Sequence, residues 1–289
     1  MTPAQLFDAI AKLSGLLFVV ASMLAMGLSL TMAQILQPLK NVRLVILPLV
    51  ASFVLVPLLA EGIVHAIPLD QSLKTGLIVL AVAAGAPFLP KLVQGAKGNV
   101  AFGVGLMVLL MVVTIAYMPI VLPLLLPGVK VDPWAIAKSL IVLMLVPLAI
   151  GLMIESHSPD TAAHWQPLMA KTSTVALLVL LVTGLGLNVS NIINLIGTGG
   201  LAAALLFLVG SFVIGFVLGG RDPAVRNVMA LGTAQRNVSA ALVVTAQNFA
   251  GSTTLPFVLV TAILGLLILL PAARRLGRRA VVTSHPAAH

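Results

Sequence analysis

Residues 230–249, ALGTAQRNVSAALVVTAQNF, form an apolar run long enough to cross a bilayer, yet Gln235, Arg236 and Asn237 stand together near its middle. On a translocon scale an arginine at mid-bilayer costs roughly 2.5–3.5 kcal/mol. Such a residue must be buried in protein or face a polar cavity. The alternative, an arginine snorkelling to the surface, works best near helix ends, and Arg236 lies well inside the run. Thr233, Ala234, Ser239, Ala240 and Ala241 surround the polar triplet, so neighbouring helices can approach closely.

A second stretch, residues 84–99, AGAPFLPKLVQGAKGN, interrupts another apolar segment. Pro87 and Pro90 remove amide donors and disfavour a helical residue before each of them. Lys91 follows at once. Two interrupted segments in corresponding places, each with a cation beside the break, point to a transporter with internal repeats.

The rest of the chain agrees with a bilayer as solvent. Of its 289 residues 60% are hydrophobic and 8% charged, against about 25% charged in soluble domains. The absence of cysteine excludes disulfides, thiolate metal sites and cysteine nucleophiles. The formal charge of +9 is scattered between apolar runs, with one cluster near the end, and is not a nucleic-acid footprint. None of the seven acids interrupts the middle of an apolar run, unless Glu61 is deeper than its position suggests. There is no paired carboxylate, HExxH, P-loop or GxSxG, so the chain reads as no enzyme and, lacking an ATP-binding motif, as a secondary carrier. No cleavable signal peptide is expected.

About nine helical spans are expected, each near the ~20 residues that cross the hydrocarbon core. They cover residues 13–32, 44–64, 73–96, 100–126, 134–154, 168–187, 195–218, 223–249 and 255–270. Residues 155–166 form the polar link between halves. Lysine and arginine are richer on the side of Lys40, Arg43, Lys97, Lys171, Arg221, Arg226 and the 271–289 tail, which makes that side cytoplasmic and puts the N-terminus outside. The broken third and eighth spans then run in opposite senses. The first repeat is 13–126, the second 168–270, and 134–154 connects them, so the repeat is inverted. The basic tail is expected to orient the chain beside anionic lipid. His285 and His289 in it suggest no metal site. Trp134 and Trp165 suit membrane interfaces.

Half-helix ends at the two breaks would form one polar centre containing Lys91, Arg236, Gln235 and Asn237, positive and without a nearby acid. It suits a carboxylate or sulfonate, with Arg236 as a bidentate fork and Lys91 as a point charge. Equally, both cations could cap half-helix carbonyls and hold the crossing together. Gly184, Gly186, Asn188, Ser29 and Thr31 are candidate cavity-wall positions.

MGLSLT at 26–31, the proline-containing second span, QGAKGNVAFG at 94–103 and GTAQRNVSAALVV at 232–244 together resemble the bile acid:sodium symporter family. The resemblance implies a panel of helices on a core domain with two discontinuous crossing helices, and transport of organic anions by alternating access. It also implies that the chain begins one helix later than members with an extra N-terminal helix. Compared with sodium-coupled members, the glutamate position before Gln235 is Leu231, the serine–asparagine pair falls on Leu89 and Pro90, a glutamine position is Ser52, and hydroxyl ligands fall on Gly103 and Met107. The expectation is that Lys91 and Arg236 replace the bound sodium ions, with Lys91 the candidate proton site and no cofactor. A rival keeps one sodium site of Gln235 and carbonyls near Gly232 and Ala234. Arsenite efflux, disfavoured by the missing cysteine, and a non-transporting receptor of the same fold are the further alternatives. The expected partners are a small organic anion and the lipid bilayer.

Overall fold

The computed structural model describes residues 3–36, 40–127, 132–186, 195, 197–249 and 252–283, and among these there is helix and no strand. Helices α1 (Pro3–Gly27), α3 (Val42–Ala66), α6 (Val100–Leu125), α7 (Pro133–His157), α8 (Pro159–Gly186), α9 (Gly200–Leu218) and α12 (Thr254–Thr283) each contain a stretch long and apolar enough to cross a membrane. A short α2 (Met32–Leu36) follows α1. Two further segments are broken, α4 (Gln71–Val82) with α5 (Leu89–Gly95), and α10 (Pro223–Ala234) with α11 (Val238–Asn248).

The helices start where short polar side chains can satisfy their first free N–H groups. Asn41, Asp70, Asn99, Asp132, Asp222 and Asn237 each accept such a bond. Three of the acids are therefore N-caps, and Pro133 and Pro223 follow two of them at the first helical position, where a missing N–H is harmless. Glu61 sits near the end of α3 beside the exposed His65, 3.8 Å away, and not at mid-span.

Several boundaries differ from the expected ones. Residues 155–166 are helical except Ser158, and α8 begins at Pro159 rather than at 168. Helix α12 continues past Pro271, so Arg274, Arg275 and Arg278 are carried on a helix. Its continuation is held by Gly277, whose missing Cβ lets it approach the Gly95 carbonyl within the space a side chain would fill. Prolines 119 and 123 lie inside α6 and do not end it. At Val56-Pro57 and Val146-Pro147 the helices instead widen into π turns, 51–55 and 141–145, because proline cannot serve the carbonyl four residues back. The carbonyl that Pro57 leaves, that of Phe53, accepts a hydrogen bond from the Tyr117 hydroxyl of α6 at 2.6 Å.

Helices α1, α7 and α8 pack on one another; α3, α4, α5, α6, α9, α10, α11 and α12 form a second group. Small residues set the closest approaches, as packing without a hydrophobic driving force requires. Gly27 of α1 meets Gly151 of α7, and Gly215 and Gly219 of α9 lie against the main chain of α10. One end of the second group gathers Arg43, the 96–99 turn, the 219–224 turn and Gly277: Asn99 N–H donates to Ala224 O at 3.2 Å, and Asn227 Nδ2 to Ala96 O at 3.3 Å. The opposite end gathers 67–73, 199–200 and Thr254, whose hydroxyl donates to Ser72 O at 3.0 Å. Exposed Trp134 and Trp165 lie near the starts of α7 and α8.

Candidate functional site

The break after α4 follows from residues 83–87, Ala-Ala-Gly-Ala-Pro. Pro87 disfavours helix at Ala86, and Gly85 turns the chain at φ +81°, where a side chain would overlap the main chain of Met111 and Met107. Thr114 of α6 pins the turn: its Oγ1 accepts from Ala84 N–H at 3.0 Å and donates to Ala84 O at 3.1 Å. Helix α5 then starts with Pro90 in its first turn. The break after α10 contains neither proline nor glycine. Gln235 takes an extended ψ of 108°, and Asn237 caps α11 through Oδ1, accepting from Ala240 N–H at 3.1 Å.

The two breaks touch. Asn237 N–H donates to Ala83 O at 2.9 Å. Arg236, 4% exposed, reaches across from one break to the other. Its Nε donates to Leu80 O at 3.0 Å, Nη2 to Ala81 O, and Nη1 to Thr233 O at 3.1 Å. The first two acceptors belong to the last turn of α4 and the third to the last turn of α10. A helix C-terminus carries roughly half a negative charge on such carbonyls. The guanidinium thus neutralises two half-helix ends at once, with no carboxylate partner among the described residues. A buried charge is tolerated when its donors are satisfied, and here neutral carbonyls do so.

Gln235 is buried and, with Leu80, Leu208, Ala234, Arg236, Val238, Thr261, Ala262 and Gly265, lines a cavity of about 10 Å³. That is room for about one water molecule and not for an organic anion. Asn237 Nδ2 and Ser239 Oγ, at the start of α11, are buried with no hydrogen-bond partner among the described residues. Ser52 Oγ in the π turn of α3 is likewise unpartnered.

Not every expected residue joins this centre. Lys91 lies on the exposed side of α5, its Nζ 5.7 Å from the centroid of the Phe88 ring, and does not share the buried site of Arg236. Among the positions matched to sodium ligands, Leu231 and Leu89 are fully buried in the apolar core, and Pro90 opens α5. Gly232 packs against Leu89 and Leu106, and Gly103 against Val93. Met107 is buried beside Gly85. Of the wall candidates, Ser29 Oγ donates to Met26 O at 2.8 Å, and Thr31 exchanges hydrogen bonds with Gln34 as a cap for α2. Gly184 and Gly186 lie in the last turn of α8, and Asn188 falls outside the described residues. Thr114 and Tyr117 are structural members of the site that sequence reasoning missed. The available signal was two hydroxyls on an otherwise apolar helix, each of which must find a partner in lipid.

The model of the sodium bile acid symporter family matches residues 16–195, more than half of the chain. A search of curated proteins gives no match.

Proposed function

Because the chain belongs to the sodium bile acid symporter family, and so is a multi-pass membrane transporter and not an enzyme, we propose that it carries an organic anion without coupling to sodium. The observation that carries this reading is the Arg236 guanidinium on the carbonyls of Leu80, Ala81 and Thr233. Carbonyls at half-helix C-terminal ends are where a carrier of this design would hold a cation; here a fixed cation occupies them. The rival sodium site of Gln235 with carbonyls near Gly232 and Ala234 is disfavoured by the same contacts, since the intervening Thr233 carbonyl is engaged.

The anion itself belongs at the opposite polarity, the N-terminal end of α11. Asn237 Nδ2 and Ser239 Oγ stand there unpartnered, and Gln235 adjoins them. Lys91, on the exposed side of α5, draws the anion in and does not bind it at the centre. Among the described residues, seven continuous spans and two broken ones make nine; with α7 as the connector, the other eight form an inverted repeat in an inner membrane, N-terminus outside and C-terminus inside. α1, α7 and α8 act as the panel and the other spans as the core. The cavity at Gln235 is too small for substrate; transport proceeds by alternating access, the core moving against the panel.

The test is uptake of a panel of carboxylates and sulfonates into proteoliposomes, in sodium and in choline at constant ionic strength. Equal uptake in the two salts, lost in Asn237→Ala, is expected. Sodium-dependent uptake would overturn the uncoupled reading, and binding without flux would make the protein a receptor.

A further inference from the structure

About 10–20 Å along α10 from the crossing, at 1.5 Å per residue, a second cavity of about 220 Å³ opens between the start of α3 and the α9–α10 turn. Its polar lining is Asn41, Arg43, Arg221 and Asp222; Leu44, Leu47, Leu218, Val225 and Met229 form its apolar wall. Asn41 and Asp222 turn their oxygens to the first N–H groups of α3 and α10. Two helix N-termini therefore meet at the cavity, and the Asp222 charge is directed into its own helix. Arg43 and Arg221 are exposed residues with no carboxylate partner among the described residues. Gly220, at φ +74°, turns the chain beside Arg43, whose Nη2 lies 3.6 Å from where a Cβ would stand, an ordinary contact distance.

We propose that this cleft holds the phosphate of an anionic phospholipid, a site distinct from the crossing and independent of the substrate and coupling readings. Arginine suits phosphate because its planar fork matches the oxygens bidentately; the capped helix N-termini, whose first N–H groups already serve Asn41 and Asp222, leave this task to Arg43 and Arg221. Lipid, not free phosphate, is the source because exposed Ile46, Val50, Val213 and Val217, between 37% and 70% exposed, neighbour the apolar wall residues along α3 and α9. Phosphate held between Arg43 and Arg221 leaves its glycerol and acyl chains against these residues. Basic pockets between membrane helices bind lipid headgroups by this combination.

Native mass spectrometry of the full chain tests it, with phosphatidylglycerol, phosphatidylcholine and inorganic phosphate as separate probes. Wild type is expected to retain one phosphatidylglycerol more tightly than phosphatidylcholine. The pair Arg43→Gln/Arg221→Gln should weaken that step about tenfold or more, and the pair Arg274→Gln/Arg275→Gln, exposed on α12, should leave it unchanged. Leu47→Phe, which narrows the cleft without altering charge, should reproduce the loss and keeps the test decisive if the double variant folds poorly. Equal losses from both arginine pairs would mean general surface charge and overturn the site. Arginine-dependent binding of inorganic phosphate without retention of phosphatidylglycerol would overturn the lipid assignment, as would no loss in any variant.

Discussion

At Arg236 a full charge is held by neutral acceptors, and its removal should be felt in two ways. Arg236→Gln leaves the carbonyls of Leu80, Ala81 and Thr233 short of donors. Each lost bond to a charged group is worth about 1.5–3 kcal/mol, so thermal stability in choline should fall clearly. The freed carbonyls would then accept another cation, and sodium should restore part of the stability in the variant but not in wild type. Arg236→Lys should not rescue, because an ammonium is a point charge and cannot fork to acceptors on two helices. A variant that melts like wild type in both salts would refute the assignment. The burial of Arg236 was legible from the sequence because a mid-run arginine has few other solutions. The place of Lys91 was not. Adjacency to a break fixes height in the membrane, but on a helix as short as Leu89–Gly95 nothing in the sequence pattern fixed which side it faced.

Among the elements, α3 shows how a proline defect is repaired at a distance. The hydroxyl of Tyr117 supplies Phe53 O with the donor that Pro57 lacks. Tyr117→Phe should therefore cost about 1–3 kcal/mol, measured by thermal unfolding in detergent. In a Pro57→Ala background, where the helix regains its own N–H, the cost should shrink. Additive effects in this double-mutant cycle would show that the two residues are uncoupled. Prolines 57 and 147 were visible in the sequence, but whether a proline bends, ends or widens a helix depends on spatial neighbours such as Tyr117, and these were not. The first break was legible from Gly85, Pro87 and Pro90. The second was legible only through its polarity, since α10 ends without proline or glycine, on an Asn237 that prefers capping α11 to continuing the turn.

Across the whole molecule, the helix ends sort into two groups, with Arg43, Lys97, Arg221 and the arginines of α12 near one of them. Because the chain has no cysteine, single substitutions can be read without background. Cysteine at Asn41, Gly220 or Arg275 should react with an impermeant maleimide only from the cytoplasmic side, and cysteine at Asp70 or Asp132 only from the outside. Labelling of Asn41 and Asp70 variants from one side would break the alternation. Run boundaries at this scale were largely legible from hydropathy. The helical continuation through residues 155–166 was not, because a polar composition does not prevent a helix that projects beyond the lipid. The meeting of Leu80, Ala81 and Ala83 with Arg236 and Asn237 also bears on the order of synthesis. The first broken segment leaves the ribosome more than 150 residues before its partners, and its open carbonyls enter the membrane without the donors they end with. Until the second half arrives, the nascent chain must keep that segment near water or the insertion machinery, so the late-made Arg236 closes a defect that the early-made half carried throughout its assembly.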